Sequence, residues 1–113
     1  MKIALTYNVE DKTVGQHFGD CENFLIVDLD NNTEEVIGNG GYSHKELIPY
    51  LATFGVKSLV CGGIGDMAVY LLGQAGIKVF CGVQGDVKKA IELYKENKLI
   101  SDESMIHQCS CHH

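Results

Sequence analysis

The sequence predicts an α/β domain of the ribonuclease H-like kind, a five-stranded mixed sheet flanked by three helices. Residues 2–37 read as a meander of short apolar strands, residues 56–97 alternate strand, helix, strand, helix, and glycine or capping residues stand where such elements end. A meander supplies antiparallel pairs and strand–helix–strand units supply parallel ones, so the sheet is mixed.

The first strand covers residues 2–6. Phe24-Leu-Ile-Val-Asp28 is the second and residues 34–37 the third, joined through Asp30-Asn-Asn-Thr33, a turn composition that makes the pair a hairpin. Ser43-His-Lys-Glu46 has the form of a capping box, and Leu47, Ile48, Leu51 and Phe54 follow at helical spacing until Gly55. Pro49 removes a backbone donor there, which predicts a kink or a later start. The fourth strand is residues 56–61, the second helix 66–75, the fifth strand 77–81 and the third helix 86–97. Gly76 ends the second helix and Asp86 caps the third. Val87, Ala90, Ile91 and Tyr94 form the face of the third helix expected to pack on the sheet. The segment 8–21 has no clear period, and loops of that length in a small domain are functional or mobile.

With 113 residues the chain has room for one core, so a single site is expected. A formal charge of −6, with no basic cluster beyond Lys88-Lys89, excludes nucleic acid as an expected partner. The longest apolar run, 56–65, is broken by Lys57, Ser58 and three glycines, and no charged-then-apolar leader precedes Lys2. No membrane association and a cytoplasmic location are the expectations. Five cysteines in such a chain are core filler, metal ligands or redox thiols rather than bridges.

Four constellations carry chemistry. His17 lies between Gly15 and Gly19, which let the backbone approach a ligand, and Cys21 follows; the alternative is a surface histidine beside a buried cysteine. Cys61 and Cys81 each end a parallel strand and precede glycine-rich turns, Cys61-Gly-Gly-Ile-Gly65 and Cys81-Gly-Val-Gln-Gly85. Ligands of open sheets sit beyond such strand ends, where backbone N–H groups and helix starts favour an anion. Both thiols would then face one cleft, unless they are core residues, as cysteines at such positions often are. Gly63-Ile-Gly-Asp-Met-Ala68 has the glycine spacing of a dinucleotide fingerprint, but no acidic residue ends the next strand, so NAD is not expected. The chain ends His107-Gln-Cys-Ser-Cys-His-His113, in which Cys109, Cys111, His112 and His113 offer thiolate and imidazole donors for iron–sulfur species, zinc or copper(I); the alternative is a frayed terminus. Asp28, Asp30 and Glu34 crowd one hairpin turn and do not converge as a magnesium nuclease requires, and no nucleophile elbow is present.

His17-Phe-Gly19, Phe24-Leu-Ile-Val-Asp28, Cys61-Gly-Gly-Ile-Gly65, Gly76-Ile-Lys-Val-Phe80 and Gly85-Asp-Val-Lys-Lys-Ala-Ile91 together resemble the dinitrogenase iron-molybdenum cofactor biosynthesis family, the NifX/NafY-like proteins. The likeness runs from Lys2 to about residue 99. It implies a carrier of an iron–sulfur or iron-molybdenum-type cluster, with the histidine of His17-Phe18-Gly19 as a ligand and Gly62, Gly63 and Gly65 lining the cleft. It also implies cluster-assembly proteins as partners. Residues 1–105 are then one cofactor-binding domain and 106–113 a Cys/His-rich tail. His17, Cys61 and Cys81, with Cys109, Cys111, His112 and His113, are the expected metal ligands, and Cys21 lines the same site. The expected protein is a non-enzymatic binder. The competing expectations are a thiol-based redox or transfer enzyme using Cys61 or Cys81, and a partner-binding domain without a ligand.

Overall fold

The computed structural model describes residues 1–42, 44–102, 104 and 106–107. Its elements are β1 (Lys2–Asn8), β2 (Thr13–Val14), β3 (Asn23–Asp28), β4 (Thr33–Gly38), α1 (His44–Ala52) and β5 (Val56–Val60). There follow β6 (Ile64–Gly65), α2 (Asp66–Gln74), β7 (Lys78–Phe80), α3 (Val87–Lys95) and β8 (Ile106–His107).

β1 is buried continuously from Ile3 to Tyr7. A strand without a solvent-facing side belongs in the middle of a sheet covered on both faces. The strand order is β4-β3-β1-β5-β7, with β3 antiparallel to β1 and β4, and β5 parallel to β1 and β7. Residues alternate between faces along β1. Ala4 joins a core cluster with Leu47 and Leu51 of α1 and Ala68 and Leu72 of α2, while Ile3 and Leu5 join one with Val87, Ala90 and Ile91 of α3. Two helices therefore cover one face and the third covers the other. The predicted face of α3 is the one that packs, and Asp86 accepts a hydrogen bond from the Lys88 N–H at 2.8 Å, as a capping residue should.

The mixed sheet and three helices match the expectation, and the strand inventory corrects it. Three two-residue strands escape the periodicity: β2 pairs with β1, and β6 pairs with β8 in a second sheet. β1 also runs two residues further than read, because Tyr7 and Asn8 pair with Val14 and Thr13. α1 begins at His44 and carries Pro49 inside it without ending there. The β3–β4 turn is held by Asp28, whose carboxylate accepts from the Asp30 and Asn31 N–H groups and the Asn31 amide. Asn32 there takes φ 54°, a left-handed conformation that asparagine tolerates.

Candidate functional site

The segment that lacked a period in sequence is stitched to the strand tips by backbone hydrogen bonds. Thr6, a fully buried polar residue of β1, donates its hydroxyl to the Gly15 carbonyl at 2.8 Å, and the Gly15 N–H returns to the Thr6 carbonyl at 2.9 Å. The Val14 N–H binds the Gly85 carbonyl at 2.8 Å. Beyond Gly15 the chain lies along the turn after β5. Gly62 N–H donates to Gly15 O at 3.0 Å, Gly63 N–H to Gln16 O, and Phe18 N–H to Gly63 O at 3.0 Å, so His17 pairs with Gly63 in parallel register. Gln16 clamps the arrangement from the side, its amide donating to the carbonyls of Val14 at 2.9 Å and Val83 at 3.3 Å.

Gly62 shows why this contact selects glycine. A Cβ there would stand 2.6 Å from the Gln16 Cα, inside any tolerable separation. Phe18 is the anchor of the loop: its ring is buried in the core, edge-on to Phe24 at 6.0 Å. His17, one residue earlier, is exposed, and Gly19 is half-buried. The result is an outward imidazole on a rail whose neighbours on both sides are pinned.

The thiols are placed differently from the expected open cleft. Cys21, Cys61 and Cys81 are only 7%, 0% and 1% exposed. Burial, and after it repulsion from Cys81 and Cys21, pushes the Cys61 thiol up to about 12. Burial also raises Cys21, whose sulfur donates to the Asn23 carbonyl at 2.8 Å. The Cys81 sulfur faces the chain that follows α3, donating to the Asp102 carbonyl at 3.2 Å. Its N–H binds the Ser101 hydroxyl at 3.0 Å. An enclosed thiol is a weak nucleophile and a poor ligand, so Cys61 and Cys81 serve the core in this conformation, while Cys21 belongs to the core and also lines the hollow beside His17.

A second expectation also changes. The glycine-turn N–H groups read as anion donors are already used: Gly62 and Gly63 bind the loop, Gly82 donates to the Gly62 carbonyl at 2.9 Å, and Val83 to the Cys61 carbonyl at 3.0 Å. At the start of α2, in contrast, Gly65 brings no side-chain cap. The first turn instead carries Asp66, whose carboxylate already matches the positive end of the helix.

Beside His17 lies a hollow of about 500 Å³ whose lining includes Glu10, Asp11, Asp20 and Glu22. This acidic rim, and the roles of Thr6 and Gln16, were not read from the sequence. A threonine inside an apolar strand is the one signal that pointed to Thr6, and nothing local marks Gln16. Among the described residues no three His, Cys, Asp or Glu side chains converge to hold a metal ion. His107 is described as part of β8, while Cys109, Cys111, His112 and His113 lie outside the described residues.

Fold and site define a small mixed α/β domain that displays one imidazole from a glycine-bearing loop docked on its strand tips. The chain belongs to the dinitrogenase iron-molybdenum cofactor family, whose model matches residues 1–97, in agreement with the resemblance carried by its motifs. A relative in Methanocaldococcus jannaschii, an uncharacterised protein, is 30% identical over 107 residues, 88% of this chain and 89% of that one. Among solved structures, the crystal structure of PH0822 superposes with a TM-score of 0.82 at 28% identity, covering 90% of this chain and 95% of the other. The apo form of the orange protein from Desulfovibrio gigas gives 0.79 at 26% identity, covering 89% and 92%. Among the described residues no helix is long and apolar enough to cross a membrane.

Proposed function

We propose that the protein is a non-enzymatic carrier or scaffold for an iron–sulfur-type metallocluster, iron-molybdenum cofactor or a precursor-like cluster. The cluster is cargo, taken up and delivered in the cytoplasm among cluster-assembly proteins. His17 is the anchoring ligand. The observation that carries this reading is the exposed imidazole of His17, held between a buried phenylalanine and a strand-tip turn, in a chain of the iron-molybdenum cofactor family. Phe18 and Gly19 set the path of the loop, and the buried Gly62 and Gly63 receive its backbone, with the half-buried Gly65 next along the same turn. The order β4-β3-β1-β5-β7 supports the ribonuclease H-like description of the fold.

The donors fit a cargo better than a resident group. One exposed imidazole holds a cluster weakly, and the acidic rim beside His17 opposes its negative charge. Modest grip suits delivery. A thiol-based catalyst at Cys61 or Cys81 is disfavoured by the burial of both sulfurs.

Anaerobic reconstitution with iron and sulfide tests the anchor. The wild-type chain is expected to gain bound iron with charge-transfer absorption, and His17→Ala to lose a large part of both while keeping its folded circular-dichroism spectrum. Equal iron content and absorption in the two proteins would remove His17 from the site.

A further inference from the structure

A second hollow, of about 570 Å³, lies on the α3 face of the sheet and shares no lining residue with the one beside His17. That volume is within the range of small-molecule sites. Its walls are apolar: Leu29, Phe80, Tyr94 and Leu99 line it, and all four are half-buried against the core cluster that holds Val87, Ala90 and Ile91. β3 runs antiparallel to β1, so Leu29, just past β3, stands at the end of the sheet where β1 begins. The loop of His17 is docked at the other end, on the turn after β5.

The walls are held in place. The Tyr94 hydroxyl is hydrogen-bonded to the hydroxyl of the buried Ser58 at 2.9 Å, which fixes the far end of the ring, and the ring meets Phe80 edge-on at 5.5 Å. Phe80 pairs with Val60 in the sheet, and the Leu29 N–H donates to the Met1 carbonyl at 2.8 Å. At the end of α3, Asn97 takes φ 59°, and the N–H groups of Asn97 and Lys98 donate to the carbonyls of Tyr94 at 3.1 Å and Leu93 at 2.8 Å. Carbonyls that would give this helix end a negative face are thereby in part satisfied.

The charges at this hollow have one sign. Lys78 and Lys95 line it and no described lining residue is acidic, in a chain of formal charge −6. Lys78 Nζ stands 5.0 Å from the centre of the Phe80 ring, and Lys95 Nζ reaches the Asn32 side-chain oxygen at 3.5 Å. Among the described residues neither ammonium has a carboxylate within ion-pair distance. Asp30 and Glu96, next in sequence to lining residues, pair with the Met1 amine and with Lys98. Two cations without counter-ions at an apolar hollow are complementary to a molecule with an apolar body and an anionic head. The body covers the half-exposed walls, and the head supplies the missing charge. An inorganic anion would leave the walls wet, and a neutral molecule would leave the ammonium groups unpaired.

We infer that this hollow is a ligand site separate from the cargo site, and that it takes a small organic anion, a flat apolar body carrying one carboxylate. Lys78 and Lys95 select for the charge, while Phe80, Tyr94, Leu29 and Leu99 hold the body. The inference does not depend on His17 as an anchor.

Titration of the full-length chain with naphthoate, followed by amide NMR, tests it. Naphthoate is expected to bind saturably, with the shifts centred on residues 78–80 and 94–99. Naphthalenemethanol, which has the body without the charge, and acetate, which has the charge without the body, are each expected to bind several-fold more weakly. Lys78→Met and Lys95→Met, at exposed positions and with the aliphatic stem largely kept, should each weaken naphthoate several-fold with the amide spectrum of the fold retained, and His17→Ala should bind it as wild type does. Equal affinity for naphthoate and naphthalenemethanol, unchanged affinity in the Lys78→Met/Lys95→Met double variant, shifts centred on residues 15–23, or no saturation at all would each overturn the inference.

Discussion

Cys61 contributes to the fold as a neutral thiol. Its proton is held to about 12 in the folded chain against 9.0 for the unperturbed group. As pH rises the unfolded chain loses this proton first, so the stability the group contributes is complete below 9.0 and is lost progressively towards about 12. Between those values wild type should lose about 1.4 kcal/mol per pH unit more than Cys61→Ala, measured by urea unfolding at stepped alkaline pH. Parallel curves for the two proteins would show that the thiol ionises in the folded state. Alkylation at neutral pH should be correspondingly slow at Cys61 until the chain is unfolded. The place of this residue at a strand tip was legible in the sequence, but its exposure was not. Phe18 of the loop belongs to the core cluster in which Cys61 is buried, and the Cys81 sulfur meets the segment 101–102. Both covers are distant in sequence and apolar periodicity does not register them.

At the scale of elements, the loop that carries His17 depends on one close approach. Gly62→Ala would set a methyl 2.6 Å from the Gln16 Cα and 2.9 Å from its carbonyl oxygen, so the backbone of the loop must move. A cost of about 1–3 kcal/mol is expected, as for other overpacked sites. Iron uptake should fall with it, because the paired register of His17 and Gly63 is disturbed. Gly73→Ala is the contrasting case: no atom lies within 4 Å of its new Cβ, and it sits inside α2. That variant should be more stable by about 0.5–1 kcal/mol, with uptake unchanged, since alanine loses less backbone freedom in a helix. Urea midpoints of both variants check the pair, and a neutral Gly62→Ala would show that the loop is not docked on the turn. Strands of five or more residues and the helices were legible because period and capping residues persist over several positions. β2, β6 and β8 were not, since two residues carry no period and long-range backbone bonds alone create them.

At the scale of the molecule, charge opposes the proposed cargo before any ligand is reached. The chain carries −6 formally, and Glu10, Asp11, Asp20 and Glu22 gather at the hollow beside His17. Such a field slows the approach of an anion, and the effect extends about 30 Å at 0.01 M salt but only about 8 Å at 0.15 M. Uptake of a small preformed anionic iron–sulfur cluster should therefore accelerate as salt is added, the reverse of the behaviour of a protein that steers anions inward. Asp20→Asn and Glu22→Gln should each raise the low-salt rate a few-fold and flatten the salt dependence, with little change at high salt where their charges are already screened. Stopped-flow absorbance of cluster uptake across a salt series reads both. Release into a partner that presents positive charge would draw on the same repulsion, because the cargo leaves a surface that never favoured it electrostatically and is retained by coordination alone. A rate that falls with salt, or carboxamide variants that match wild type throughout the series, would place the cargo on a face away from the acidic rim.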